Sequence, residues 1–212
     1  MNPSHHHRTF VETWLGRPWQ PSDGVSVPPS LALPEALRDI YQAMGNVESL
    51  ARAHNELLAP SELRREAGHT IFFVENQGVA VWGYRDADTG LEDPQIFQGQ
   101  STEHGWEWHP EHMVLKTWFQ IMAYWQLLNG GYPSGGYAAE ISGAGKTVSR
   151  MLPKLGGHPD GSTQFYGKPG QLVCVAGTEE SSSVWAAAST EAGFTQLSKL
   201  LGFDWDYSSE NE

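Results

Sequence analysis

The stretch of sequence that decides the fold is Thr70-Ile-Phe-Phe-Val-Glu-Asn-Gln-Gly-Val-Ala-Val-Trp-Gly-Tyr84. Most residues in segments 71–74 and 79–84 are β-branched or aromatic, and such residues suit the pleated surface of a strand. Between the two segments, Asn76-Gln77-Gly78 has the composition of a tight turn. The pattern predicts a β-hairpin at the centre of the fold.

Helical patterns lie on both sides of this hairpin. Upstream, the apolar spacing predicts helices over residues 34–44, with Pro34 in the first helical position, and over residues 47–58. Downstream, it predicts a helix over residues 111–128, whose apolar residues surround most of its circumference, and another over residues 191–201. We expect helix 111–128 to be covered on more than one side.

Short strands are predicted after the hairpin and near the end of the chain. The segments are 95–98, 105–108, 164–167, 171–176 and 184–187. Blocks of strands and helices with little βαβ alternation are typical of an α+β domain, built on a largely antiparallel central sheet flanked by helices. We expect a single domain over residues 31–212. It is preceded by an N-terminal arm, residues 1–30, where prolines disfavour helix beyond a short amphipathic piece.

The chain is acidic, and its acidic residues are unevenly spread. It carries 25 Asp and Glu against 13 Lys and Arg among 212 residues, a formal net charge of −12. Such a field repels phosphate backbones, which argues against nucleic acid as a partner, and it attracts basic proteins. Between Asp86 and Leu115 there is no Lys or Arg.

Cysteine usage and hydropathy bear on the compartment. Cys174 is the one cysteine, so no internal disulfide can form, and it lies in an apolar segment, 172–176, that predicts a buried strand. The first residues contain no apolar signal core, and no window approaches about 18 consecutive apolar residues. We therefore expect a soluble, cytoplasmic protein.

One glycine-rich motif is similar to a catalytic loop, but its spacing does not support that interpretation. Ser142-Gly-Ala-Gly-Lys-Thr147 is like the end of a phosphate-binding loop, but that loop needs a glycine five residues before Gly145, and Glu140 is there instead. No G-x-S-x-G nucleophile element is present either. We expect no cofactor. The motif is predicted to lie in a flexible basic loop that carries Lys146, Arg150 and Lys154.

Three histidines and three carboxylates crowd into residues 103–112. The histidines are His104, His109 and His112. Zinc-protease helices need H-E-x-x-H or H-x-x-E-H, whereas His109-Pro-Glu-His112 is one residue short and contains Pro110. We expect no metal centre here, although a regulatory metal stays an open alternative. Pro110 and Glu111 are instead predicted to begin the long helix, where acidic charge is favourable.

The order of these elements resembles the SUKH superfamily, which includes bacterial immunity proteins against secreted toxins and a yeast regulator of cell-wall synthesis. The residues that carry the resemblance are Leu33-Pro-Glu-Ala-Leu-Arg-Asp-Ile-Tyr41, Leu57-Leu-Ala-Pro-Ser-Glu-Leu63, the hairpin and Asp93-Pro-Gln-Ile-Phe97. They fall within residues 31–130. The resemblance implies a SUKH-like α+β fold and a protein that binds another protein without catalytic machinery.

The leading hypothesis is therefore a non-enzymatic, immunity-type antagonist that covers the active face of a basic toxin domain. Carboxylates would replace the phosphates of the toxin's substrate, and a tryptophan would serve as an apolar anchor. The predicted partner-binding residues are Asp86, Asp88, Glu92, Asp93, Glu103, Trp106 and Glu107. For Trp106 and Trp108, core and partner-facing roles are both open. The alternatives are an intracellular regulatory or scaffold module and a small hydrolase that uses a carboxylate pair.

Overall fold

A computed structural model describes the chain from residue 3 to residue 209. Within that part, the chain forms six α-helices and twelve β-strands. The helices are α1 (Pro3–Leu15), α2 (Glu35–Met44), α3 (Glu48–Ala51), α4 (Leu115–Gln126), α5 (Ala144–Met151) and α6 (Glu191–Leu201). The strands are β1 (Glu56–Leu57), β2 (Arg64–Glu66), β3 (His69–Val74), β4 (Ala80–Arg85), β5 (Gln95–Thr102), β6 (Gly105–Val114), β7 (Ser134–Ile141), β8 (Lys154–Gly157), β9 (Thr163–Lys168), β10 (Gln171–Gly177), β11 (Ser182–Ala188) and β12 (Tyr207–Ser208).

The strands form two antiparallel sheets, so the fold is α+β, as predicted. The first sheet has the order β1-β3-β4-β5-β6, with β2 also paired to β3. The second has the order β12-β7-β11-β10-β9-β8. The sequence had predicted one central sheet. That expectation was wrong because β7 and β8 extend the last three predicted strands into a separate sheet.

The hairpin that decides the fold is confirmed. β3 and β4 pair antiparallel, with Val74 opposite Val81 and Thr70 opposite Tyr84. The turn is closed by a backbone hydrogen bond of 2.9 Å from Glu75 N to Ala80 O. Its side chains on one face are fully buried, because that face packs on α4.

Helix α4 lies between the two sheets and carries the centre of the core. Trp118 contacts Phe72 and Phe73 of β3 edge-on, with ring centroids 5.5 and 5.3 Å apart. Further along the same helix, Tyr124 packs against Phe165 of β9, with ring centroids 5.8 Å apart. The expectation that this helix is covered on more than one side is confirmed.

The other face of the second sheet is covered by α5 and α6. Val148 of α5 and Phe194 and Leu197 of α6 are fully buried against the valines of β10 and β11. At the other end of the molecule, α1 packs on α2, and its Trp14 carbonyl accepts a hydrogen bond of 2.6 Å from the Tyr132 hydroxyl. The amphipathic piece predicted in the arm, residues 10–15, is the last part of α1, which is longer than predicted.

Two predicted helices have different bounds in the structure. The helix expected over residues 47–58 is only α3, because the chain after it turns into β1. The helix expected over residues 111–128 begins at Leu115, and Pro110 and Glu111 belong to β6 instead. The helix start is fixed by Asp93, whose Oδ1 accepts a hydrogen bond of 3.0 Å from the N–H of Lys116.

The prediction of a flexible basic loop around Lys146 was also wrong. Lys146 and Arg150 lie on α5, and Lys154 begins β8. Gly143 precedes the helix with a φ of 68°, a left-handed conformation that glycine adopts without strain. α5 is held to the sheet by its apolar face, which includes Val148.

Candidate functional site

The seven predicted partner-binding residues fall into two groups at opposite ends of β5. Asp86, Asp88, Glu92 and Asp93 lie in the connection from β4 to β5. Glu103, Trp106 and Glu107 lie in the following turn and at the start of β6. β5 spans eight residues, so at ~3.4 Å per residue the two groups are separated by ~24 Å along the strand. The structure does not bring them together into one continuous patch.

Three carboxylates of the first group have partners within the chain. Asp86 accepts a hydrogen bond of 2.7 Å from the Thr70 hydroxyl. Glu92 pairs with the ammonium of Lys116 at 2.8 Å, and this hydrogen bond lowers the pKa of Glu92. Asp93 caps α4 as described. These groups orient the β4–β5 connection on the body of the domain.

The second group, together with Trp108, defines what we call the hairpin tip, residues 103–108. Glu103 lies in the two-residue turn and is exposed. The side chain of Glu107 is 66% exposed, and its Oε1 lies 3.7 Å from Nε2 of His109. The carboxylates of the hairpin tip are thus presented to solvent. In the first group, Glu92 is exposed to a similar degree but is paired with Lys116, and Asp86, Asp88 and Asp93 are half-buried.

Trp106 and Trp108 alternate along β6 and therefore lie on the same face of the first sheet. Both are half-buried against a small cluster formed by Leu58, Ile71 and Val81. This face is the one that points away from α4. The two tryptophans are fixed by packing and are also partly exposed. The packing role is therefore seen in the structure, and the partner-facing role stays a prediction.

The ring of Trp108 is also stacked on His69 of β3. Their centroids are 4.1 Å apart with an interplanar angle of 13°, and Phe97 meets His69 edge-on at 5.1 Å. Trp108 Nε1 and His69 Nε2 are buried, and neither has a hydrogen-bond partner in the described part of the chain. Sequence reasoning missed His69 and Phe97. Strand alternation indicates which residues of one strand share a face. To bring His69, Phe97 and Trp108 together, one must also know the register of the four strands β3 to β6.

A cleft of about 170 Å³ lies between the two sheets, beside α4. Its walls are apolar, and Glu111 of β6 and His158 of the β8–β9 connection supply its ionisable groups. Glu111 Oε1 accepts a hydrogen bond of 2.7 Å from Trp82 Nε1, and Oε2 lies 3.5 Å from His158 Nε2. The far nitrogen of His158 contacts Asp160 at 2.7 Å.

This cleft bears on the carboxylate-pair hydrolase considered from the sequence. Glu111 lines it, whereas Asp160 lies beyond His158 and is exposed. Asp160 is engaged by Ser162 and His158, which lower its pKa to about 2. Within residues 3–209, the cleft therefore has one carboxylate in its wall, and a carboxylate pair would need two.

The remaining sequence motifs occupy separate positions. His104 lies in the β5–β6 turn, and His109 and His112 lie on β6, all three exposed. In the part of the chain that the structure describes, no three His, Cys, Asp or Glu side chains are arranged to hold a metal ion. Lys146 pairs with Glu179 beside a cavity of about 220 Å³ at the start of α5. Cys174 is fully buried in β10, as predicted, and burial raises the pKa of its thiol.

Comparisons of the chain with protein-family models, with curated proteins and with solved structures gave no match. Among residues 3–209, no helix has both the length and the apolar character needed to cross a membrane.

Proposed function

We propose that this protein is a non-enzymatic binding protein of the immunity type, which blocks a basic protein partner through the hairpin tip. The observation that carries the proposal is the arrangement of that tip. Trp106 and Trp108 are held in place on one face of the sheet yet remain partly exposed. Two solvent-exposed carboxylates lie close to them in the chain, Glu103 in the turn and Glu107 on the opposite face of β6.

The physical argument rests on what each residue type contributes to an interface. Tryptophans dominate the binding energy of many interfaces, because they bury a large area with few rotatable bonds. Carboxylates at the rim accelerate the approach of a basic partner and disfavour acidic ones. The stretch from Asp86 to Leu115, which contains these carboxylates, has no Lys or Arg, so the segment itself contributes only negative formal charge to the local field.

The resemblance to the SUKH superfamily supports the same proposal. The residues that carry it lie in the first half of the fold: in α2, at the end of β1 and just after it, in the β3–β4 hairpin and at the start of β5. We propose that this half is SUKH-like and that the hairpin tip is its partner-binding part. Asp86, Glu92 and Asp93 then serve mainly to hold the β4–β5 connection, and Asp88 stays a predicted contact.

The test is affinity capture from cells of the source organism at low salt. The bait variants are the wild type, the double variant Glu103→Lys/Glu107→Lys, and a control, Glu180→Lys/Asp204→Lys. The control changes the net charge equally at exposed positions outside the hairpin tip. We expect the wild type and the control to recover one dominant basic protein that the tip variant does not recover.

Other outcomes have defined meanings. Recovery of several unrelated proteins by all three baits would favour the regulatory or scaffold alternative over the immunity-type antagonist. Equal recovery of one basic protein by all three baits would place the interface elsewhere and contradict the role of the hairpin tip.

A further inference from the structure

Strand β6 forms the last strand of the first sheet, and among residues 3–209 it pairs with β5 alone. Its first half, residues 105–110, is exposed or half-buried along its length. Its second half is partly covered, because Glu111 contacts His158 of the second sheet. The free edge of the sheet is therefore the part of β6 that belongs to the hairpin tip.

The backbone groups on this edge can be assigned from the register. Ser101 of β5 donates its N–H to Val79 O at 3.1 Å, on the β4 side. Ser101 is opposite Trp106, and Gly99 is opposite Trp108. The N–H and C=O groups of a strand residue point to the same side, and they do so again two residues further on, so Ser101 and Gly99 both point toward β4. Their pairs with Trp106 and Trp108 are therefore the non-hydrogen-bonded kind, and the N–H and C=O groups of the two tryptophans point away from β5.

Pro110 limits how far this edge can be used. Pro110 lies two residues after Trp108 and is opposite Phe97. Its backbone therefore faces away from β5, as that of Trp108 does. Proline has no N–H to donate, and it is tolerated at a sheet edge for that reason. The edge open to pairing thus consists of the Trp106 and Trp108 backbone groups.

The side chains along this edge differ between the two faces of the sheet. Trp106 and Trp108 are on the face that points away from α4, and Glu107 and His109 are on the other. A strand laid beside β6 would place alternate side chains next to tryptophan on one face and next to Glu107 and His109 on the other.

We infer that β6 accepts an extended segment of the partner as an added strand, and that this segment alternates apolar residues with Lys or Arg. This inference rests on the proposed function, because it specifies how the hairpin tip engages its basic partner. Main-chain hydrogen bonds to Trp106 and Trp108 supply affinity, and the alternation supplies register and specificity.

A second copy of this chain is the less suitable occupant. Two β6 edges paired with each other would bring the carboxylates of Glu103 and Glu107 from both copies close together. Like charges across neighbouring strands are destabilising. Charge and proline on an edge strand also commonly prevent such self-association.

The test uses two capped peptides with the full-length protein. One is Lys-Val-Lys-Val-Lys-Val-Lys, and the other, Val-Val-Val-Lys-Lys-Lys-Lys, has the same composition and charge without the alternation. Amide hydrogen exchange measured by NMR reports the Trp106 and Trp108 N–H groups directly. We expect the alternating peptide to slow exchange at both amides and to bind about tenfold tighter than the other peptide.

A pair of variants separates backbone pairing from loss of the ring. Trp108→Val and Trp108→Pro both remove the indole, but only the proline variant removes the outward N–H. We expect Trp108→Pro to bind the alternating peptide about tenfold more weakly than Trp108→Val, since one hydrogen bond is lost. The exchange measurement on the wild-type protein does not depend on either variant folding.

Three results would overturn the inference. They are equal protection of the two amides by both peptides, equal binding by the two variants, and a dimer of the free protein that already protects the Trp108 amide. If Glu107→Lys still weakens peptide binding in the first two cases, the hairpin tip is a binding surface without strand pairing. If Glu107→Lys has no effect, the proposed function fails as well.

Discussion

The ring of Trp108 lies directly over Gly99, its cross-strand neighbour in β5. A Cβ atom built on Gly99 would come within 3.1 Å of two ring carbons of Trp108 and 3.0 Å of Val81 Cγ2. The absence of a side chain at Gly99 is therefore what allows the indole to lie flat on the sheet and stack on His69. The position of the aromatic half of the hairpin tip depends on this one glycine.

Replacing Gly99 should displace the ring. We expect Gly99→Val to cost about 1–3 kcal/mol in the free energy of unfolding, because the site is already filled. Urea denaturation gives the energy, and tryptophan fluorescence reports greater solvent exposure. Gly90→Val is the matched control, since a Cβ there meets no atom within 4 Å. An unchanged emission spectrum in Gly99→Val would contradict the proposed packing.

Gln126 connects helix α4 to the segment before β1. Its side chain is fully buried, accepts hydrogen bonds from His54 N and Asn55 N at 3.0 and 2.8 Å, and donates one to Asn55 O. We expect Gln126→Leu to cost about 1–3 kcal/mol or more, because it leaves buried backbone groups unpaired. Gln120→Leu on the same helix is the control, with a smaller cost measured by the same urea titration. Equal costs would show that the Gln126 bonds are not specific anchors.

His7 makes the docking of α1 sensitive to acid. Burial, with smaller effects of His6 and Lys116, lowers the pKa of His7 from 6.5 to about 4. Between those values the unfolded chain binds a proton that the folded chain excludes, so stability is complete above pH 6.5 and falls as the pH decreases toward 4. We expect His7→Gln to remove on the order of 2 kcal/mol of this pH dependence.

The matched control for His7 is its exposed neighbour. His6→Gln should leave most of the decline in place, because His6 is exposed and contributes only the smaller, electrostatic part of the shift. The measurement is the free energy of unfolding at several pH values from 4 to 8. A wild-type curve that is flat between pH 6.5 and 4 would contradict the burial of a neutral His7.

Asp39 is expected to weaken the fold at neutral pH. It is 8% exposed on α2, and its Oδ2 is buried with no hydrogen-bond partner among the residues that the structure describes. Burial and the nearby carboxylates of Glu35 and Glu92 raise the pKa of Asp39, although Lys116 opposes this. The pKa of Asp39 is thus higher in the folded protein than in the unfolded chain. The ionised carboxylate destabilises the fold fully above the folded pKa, and this destabilisation disappears as the pH falls below the unfolded pKa.

Asp39→Asn should therefore stabilise the protein at pH 7, by about 1 kcal/mol, since a buried, unpaired charge is removed. The gain should shrink as the pH is lowered toward 4. Thermal unfolding at pH 7 and pH 4 measures both effects. Asp204→Asn, at an exposed position, should change neither. A loss of stability at pH 7 in Asp39→Asn would mean that the ionised carboxylate has a role in the fold.

The elements that the sequence predicted well are those fixed by local patterns. The β3–β4 hairpin has its own turn chemistry. Helix α6 has the predicted bounds, because Thr190 caps its start by accepting a hydrogen bond from Gly193 N, and Gly202 ends it in a left-handed conformation. Such signals need no partner elsewhere in the chain.

The elements that were missed depend on distant contacts. The helix expected over residues 47–58 is interrupted by Gln126, more than 70 residues away. Pro110 was interpreted as a helix start, but it lies on the free edge of a strand, where its missing N–H is equally acceptable. β7 was missed because its glycines do not have strand propensity, and they are needed for close approach to Ala186 O and Phe194.

The candidate site shows the same division. Charge and nearness in sequence grouped six carboxylates with Trp106, and in the structure β5 separates these seven residues into two sets. Trp106 and Glu107 were identified from their residue types. His69, Gly99 and the outward backbone of β6 required the register, which is set by the β4–β5 and β5–β6 pairings together.

The central claim is that the hairpin tip binds a basic protein partner. The most direct measurement is the Kd of the captured partner for the wild type, Glu103→Lys/Glu107→Lys and the Glu180→Lys/Asp204→Lys control, by calorimetry at 50 and 300 mM salt. We predict a loss of about tenfold or more for the tip variant at 50 mM salt, a smaller loss at 300 mM salt, and little change for the control. Equal Kd values for all three proteins at both salt concentrations would contradict the claim.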